Sequence, residues 1–215
     1  MLNNKNKKTI VCIYTEGATD EVFYNRLLEF IKNKSESKKF IVDAIKKSNI
    51  QGIGNFSSKL LRKFKQEINV KEYKEYKKIV ILCYDEDVFD FIDQTPPVNW
   101  KKLEKDLQIE GADKVIHLKA IKSIEDIFLL DIESILKSIG LSKNNVKNIS
   151  GSGYQKLKAL YKKVNKMYYK GDRVENFVYN LDIDKICKNQ CNMYCELCKV
   201  LIGKKGCDWF INNWC

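Results

Sequence analysis

The sequence predicts an α/β fold: a parallel sheet of about four strands flanked by helices, followed by an α-helical C-terminal lobe. Three observations lead there. Short β-branched runs alternate with stretches of helical spacing over residues 1–139. Apolar residues are 44% of the 215, enough for a core that needs no disulfide or metal staple. Only 2 Pro and 10 Gly are present, so disordered, collagen-like and low-complexity classes are excluded.

Thr9–Thr15 (TIVCIYT) is a short apolar run of the kind buried in parallel sheets. Thr19–Lys32 follows with Val22, Phe23, Leu27, Phe30 and Ile31 at helical spacing. Lys39–Ile45 is expected as the second strand and Phe56–Ile68 as the second helix, through Leu60, Leu61, Phe64 and Ile68. Lys78–Tyr84 (KIVILCY) has the strongest strand pattern in the chain. After the turn-forming Thr95-Pro96-Pro97 come a helix through Trp100, Leu103 and Leu107 and a strand at Lys114–Ala120. Ile124–Ile139 is expected as one helix. Beyond Gly140 the pattern is helical. Gly151-Ser152-Gly153 is expected as a flexible joint before a helix over Tyr154–Tyr169, with one or two further helices over Glu175–Ile202. No internal repeat and no independent second core is visible. Residues 1–139 are therefore expected to form the domain, and 140–215 a helical lobe on it.

Lys and Arg total 39 against 28 acids, a net charge of +11. The excess is unevenly placed: residues 1–135 hold 24 basic and 22 acidic side chains, residues 136–215 hold 15 and 6. That division predicts chemistry in the front part and a polyanion-holding surface in the back. Only 3 of the 39 basic residues are Arg, the usual bidentate reader of guanine, so contacts dominated by the phosphate backbone are expected. Lys156, Lys163 and Lys170 recur every seven residues, and Lys158, Lys162 and Lys166 broaden that helical face into a nucleic-acid-binding surface. No apolar run approaches the roughly 18–20 residues of a membrane span, and Met1–Lys8 does not open a signal peptide. A cytoplasmic protein without membrane contact is expected. Its eight Cys are expected as reduced thiols.

Open parallel sheets bind ligands beyond the carboxyl ends of their strands, and three such ends here carry acids. The first strand runs into Glu16-Gly17-Ala18-Thr19-Asp20-Glu21, the third into Asp85-Glu86-Asp87, and the fourth is followed by Ser123-Ile124-Glu125-Asp126. In extended backbone, Asp85 and Asp87 aim to the same side, as a shared cation requires. Asp20 lies one helical turn beyond Glu16, and Gly17 is expected to allow a sharp turn and a close phosphate. Hard oxygen donors of this kind suit Mg²⁺ or Mn²⁺ rather than zinc. Acids after strands are also common as helix caps, but three clusters at three strand ends outweigh that explanation.

Ile10–Glu16 with Gly17 and Asp20, followed by Ile79–Asp87 ending in Asp-x-Asp, resembles the topoisomerase–primase (TOPRIM) family, whose Rossmann-like sheet carries this order of motifs. Ser123-x-Glu125 is similar to the nuclease branch of the overcoming-lysogenization-defect type. The resemblance covers about residues 9–135. It implies that Glu16, Asp85 and Asp87 are catalytic and bind a divalent metal. Asp20 and Glu125 would complete a second metal site, with Glu21 and Asp126 as substitutes. No primase zinc ribbon is recognisable and 215 residues do not accommodate strand-passage domains, so within the family a stand-alone nuclease is the expected match.

Other motifs carry less. IVILCYDED has the look of a Walker B strand, but no G-x-x-x-x-G-K-[ST] accompanies it. His117, the one His, is expected in a structural role. Cys187, Cys191, Cys195 and Cys198 invite a zinc site. On one straight helix they share an arc of about 80° and cannot surround an ion, so packing is the preferred account. The Tyr-rich stretch at Tyr154, Tyr161, Tyr168 and Tyr169 suits base stacking or core packing.

The function expected is metal-dependent cleavage of nucleic acid, DNA before RNA, with a pair of Mg²⁺ or Mn²⁺ ions about 3.5–4 Å apart. A phage-defence role beside a separate ATPase or sensor fits the family. The alternatives are an RNA-processing or tRNA-cleaving enzyme with the same site, and a non-catalytic nucleic-acid-binding adaptor.

Overall fold

The computed structural model describes residues 7–86, 98–146 and 149–214. Strands β1 (Thr9–Thr15), β2 (Ala44–Asn49), β3 (Lys77–Asp85) and β4 (Lys114–Ala120) form an all-parallel sheet in the order β2-β1-β3-β4, a Rossmann-like α/β arrangement. Alternation along the strands divides their side chains between two faces. Val11, Ile13, Ile79, Ile81, Ile116 and Leu118 face a core shared with α1 (Ala18–Lys34), α4 (Ile124–Phe128) and the C-terminal helices. Ile10, Cys12, Tyr14, Val80, Leu82 and Tyr84 face a second core closed by α2 (Leu61–Glu67) and α3 (Trp100–Ile109). A π-helical turn over Phe56–Leu60 leads into α2. Burial on both faces is why β1 and β3 are continuous apolar runs rather than alternating ones.

The C-terminal part comprises α5 (Ile132–Ile139), α6 (Gly153–Lys162), α7 (Glu175–Tyr179), α8 (Ile183–Asn189) and α9 (Cys191–Trp214), the last broken at Gly203 (φ 77°, ψ 171°). Ile186, Leu197 and Leu201 from these helices lie in the same core as Ile116 and Leu118 of the sheet. The lobe is therefore continuous with the sheet across residue 140.

Four expectations are corrected. The second strand is Ala44–Asn49, not Lys39–Ile45. Its polar sequence AIKKSN is drawn into the sheet by backbone pairing with β1 from Ile10↔Ala44 to Thr15↔Asn49, while the apolar Phe40 and Val42 pack against the core ahead of it. The helix expected over Ile124–Ile139 is divided by a 3-10 turn at Leu129–Asp131. There the buried Asp131 carboxylate accepts from Asp182 N (2.7 Å) and meets Lys185 Nζ (3.4 Å).

The helix expected over Tyr154–Tyr169 stops at Lys162. Asn165 takes the left-handed conformation (φ 54°), with Asn165 N donating to Lys162 O (3.1 Å) and Lys166 N to Tyr161 O (3.0 Å). This is a Schellman stop, one of the few left-handed positions that Asn fills well. Residues 163–170 then run as a non-helical strap. Finally, Gly153 is no flexible joint. Ser152 and Gln155 form a capping box over the α6 N-terminus, which is seated directly on α4.

A Cβ at Gly153 would lie 2.5 Å from Asp126 N and 2.7 Å from Glu125 C. Gly153→Ala therefore forces α6 off α4, and a loss of about 1–3 kcal/mol is expected despite alanine's better helix propensity. Urea unfolding checks this; an unchanged midpoint would disprove the tight seat.

Candidate functional site at the carboxyl ends of the strands

The strand order places a topological switch between β1 and β3, since the chain leaves β1 for β2 on one side and returns to β3 on the other. Ligands of open parallel sheets bind at such a crevice. Glu16 follows β1 and Asp85 ends β3, so the switch point is acidic by construction. Their backbone and side chains stitch the strand ends together. Glu16 N donates to Cys83 O (3.0 Å), Asp85 N to Glu16 Oε2 (3.2 Å), and Ile124 N to Asp85 Oδ1 (2.9 Å). An open cleft of about 460 Å³ lies here, lined among others by Glu16, Asp20, Asn49, Gln51, Asp85 and Lys170.

Asp20, in the first turn of α1, and Glu125, in the first turn of α4, are 6% and 0% exposed. Asp20 Oδ1 and Glu125 Oε2 find no hydrogen-bond partner among the described residues, a costly state for buried carboxylates. Glu125 Oε1 accepts from the Tyr168 hydroxyl (3.4 Å) and pairs with Lys170 Nζ (3.1 Å). The half-exposed Lys170 also lies over the Tyr154 ring, 4.9 Å from its centroid. Gly171 N donates to Thr19 Oγ1 (2.8 Å), fastening the end of the strap to α1.

Charge is crowded. Burial first, then the neighbouring Glu16, push the Asp20 carboxyl up to about 7, with Glu125 adding to the rise and Lys170 opposing it. Partial burial disfavours the Lys170 ammonium, but Glu125, Asp85 and Asp20 outweigh it and hold its pKa above the usual value.

Glu16, Asp20, Asp85 and Glu125 thus gather at one end of the sheet; Asp87 lies outside the described residues. Among the described residues no three His, Cys, Asp or Glu side chains are close enough together to hold a metal ion. Asp20 Oδ1 and Glu125 Oε2, buried and without a partner among the described residues, are hard oxygen donors of the type a divalent cation takes. Asp126 is already committed, its Oδ2 accepting from Ser123 Oγ (2.8 Å) and Gly153 N (3.2 Å). Gly17 is extended (φ −142°, ψ 175°), a conformation open to any residue, so a sharp turn is not its purpose.

The expected basic face does not form. Lys156, Lys158 and Lys162 lie on α6 and Lys163 caps its end, but Lys166 and Lys170 follow the Asn165 stop, and Lys170 folds into the acidic cleft. Sequence spacing named Lys170 for a basic helical face and Tyr168 for stacking or packing, and missed their place beside Glu125 because it extended the helix. The left-handed preference of Asn165, followed by alternation through residues 166–170, was the available signal.

The cysteines are mostly core. Cys187 sits on α8, while Cys195 and Cys198 sit on α9, so the single straight helix expected for them is in fact two. Cys187, Cys198 and Cys207 are buried in the core, and burial pushes the Cys187 thiol up to about 12. Cys191 is disulfide-bonded, against the expectation of reduced thiols throughout. His117 lies on the other face of the sheet, with Nδ1 3.0 Å from Tyr84 Oη and Nε2 2.9 Å from Glu104 Oε1. Burial lowers its pKa, and it takes no part in the cleft. No helix among the described residues is long and apolar enough to cross a membrane.

No family model, curated protein or solved structure matches this chain.

A carboxyl raised from its ordinary range costs stability once it must ionise. For Asp20 that cost is absent below about pH 4, grows as pH rises, and is complete above about 7. Asp20→Asn in EDTA should therefore raise the melting temperature more at pH 8 than at pH 5, relieving at most about 4 kcal/mol. Equal shifts at the two pH values would show that Asp20 does not titrate in this way.

Proposed function

We propose that this chain is a divalent-metal-dependent nuclease that hydrolyses phosphodiester bonds in nucleic acid, with a TOPRIM-like site. One observation carries it: four carboxylates from three strand ends gather at the switch point of a parallel sheet, two of them with a buried oxygen that has no partner among the described residues. Glu16 and Asp85, together with Asp87, would hold Mg²⁺ or Mn²⁺, and Asp20 and Glu125 would border it. When bound, such an ion neutralises charge on phosphorus and lowers the pKa of an attacking water.

The protein's own groups have definite tasks. The Asp85 amide holds the Glu16 carboxylate, and the Ile124 amide holds that of Asp85, so both are oriented before any substrate arrives. Glu125 and Tyr168 fix the Lys170 ammonium at the cleft wall. There it adds a permanent positive charge where a phosphate would enter. The sequence led us to expect two Mg²⁺ or Mn²⁺ ions; with Lys170 paired to Glu125, the reading here needs one divalent ion beside Glu16 and Asp85, the ammonium standing where the second was expected. DNA is the favoured substrate and RNA the alternative. A non-catalytic nucleic-acid binder is the second reading; it is favoured by the Lys170–Glu125 ion pair, which already balances one buried carboxylate.

The test is incubation of the full chain with plasmid, single-stranded DNA and total RNA under Mg²⁺, Mn²⁺ or EDTA. Cleavage is expected with the metals alone. Glu16→Gln and Asp85→Asn keep the oxygen acceptors for Asp85 N and Ile124 N. They should leave the melting temperature within a few degrees and lower the rate by more than about 100-fold. Undiminished cleavage by an Asp85→Asn, Asp87→Asn double variant would refute the metal site, and no cleavage by wild type would favour the binder.

A further inference from the structure

The strap over residues 163–170 shows an alternation that the acidic cleft uses on one side only. Tyr168 and Lys170 turn inward to Glu125. Met167 and Tyr169 turn outward and are 67% and 44% exposed. The Tyr169 hydroxyl reaches Met167 Sδ (3.6 Å), so the two side chains make one apolar ledge beside the cleft.

Fraying does not explain this exposure. The strap is fixed at its start by the Schellman stop at Asn165 and at its end by Gly171 N on Thr19 Oγ1. Between them Tyr168 is clamped among Tyr154, Tyr161 and Phe177. With the backbone held at these points, Met167 and Tyr169 remain on the outer side of the strap. Around the ledge, Lys162, Lys163 and Lys166 are exposed and form no ion pair among the described residues. A further exposed apolar residue, Ile121 (60%), stands just beyond β4 at the same end of the sheet.

The apolar ledge and the exposed lysines around it suit a ligand with flat apolar faces on a polyanionic backbone, which the proposed metal would let approach the acidic cleft. Unpaired nucleobases meet that description, whereas duplex DNA hides its base faces in the stack. We infer that the Met167–Tyr169 ledge stacks an unpaired base and makes single-stranded nucleic acid the preferred ligand of the site. This inference rests on the nuclease reading for the role of the cleft, but binding tests it without cleavage.

The experiment is fluorescence anisotropy in EDTA with the full chain and labelled 20-mers of mixed sequence: single-stranded DNA, single-stranded RNA and DNA duplex. Single strands are expected to bind at least about tenfold more tightly than duplex, DNA and RNA being separated by their own arms. Met167→Ser with Tyr169→Ser should weaken single-strand binding about 5- to 100-fold and leave duplex binding unchanged, while Tyr169→Phe, which keeps the ring, should bind as wild type. Both sites are exposed, and matching melting temperatures establish that the variants fold. Duplex binding equal to or tighter than single-strand binding, or full single-strand affinity in the double serine variant, would overturn the inference. Ledge-dependent binding without cleavage in Mg²⁺ or Mn²⁺ would sink the nuclease reading and leave the ledge standing. Cleavage unaffected by loss of the ledge would do the reverse.

Discussion

At the carboxyl end of a parallel sheet, backbone N–H groups leave the ladder and must be satisfied by something else. Here carboxylates do it. Glu16 accepts from the amide of Asp85, and Asp85 accepts from the amide of Ile124, so β1, β3 and α4 are joined by two acidic side chains. A carboxylate offers about four lone-pair positions, and one backbone donor leaves capacity for a cation. The groups that close the sheet are therefore the same carboxylates that line the cleft.

A second constraint follows from burial. Glu125 is fully buried, which is tolerable for a charge only when it is paired. Its partner comes from 45 residues further along the chain, on the strap after α6. Three devices bring Lys170 there: the helix stop at Asn165, the clamped ring of Tyr168 and the Gly171 anchor on α1. The lobe consequently completes the acidic site in addition to covering the sheet. Its close seating through Gly153 on α4 makes the two parts one packed unit.

Legibility in the sequence followed the strength of local signals. β1, β3 and β4 were visible because burial on both faces demands uninterrupted apolar runs. β2 was not, because an edge strand paired on one side accepts AIKKSN, while nearby Phe40 and Val42 mimic a strand from outside it. Glu16, Asp20, Asp85 and Glu125 were found through their positions at strand ends, which need only the order of elements. Lys170 was placed on a continuous helical face that does not exist, because seven-residue spacing assumes an unbroken helix and one left-handed Asn cancels that assumption. The cysteines were similarly misaligned, by the break between α8 and α9.

By itself, then, the sequence determined the α/β class, three of the four strands and the acids that end or follow them. Hydrophobic periodicity and the position of a residue after a strand are local properties, written within a few residues. Tertiary structure alone decided which acids are buried, that Asp126 holds α6 rather than facing the cleft, and that a lysine expected on a nucleic-acid surface is the counter-ion of Glu125. Those outcomes depend on pairings between residues some 27 and 45 positions apart. Such pairings are settled by packing the lobe onto the sheet and by the cost of leaving a buried charge alone, neither of which leaves a periodic trace in the chain.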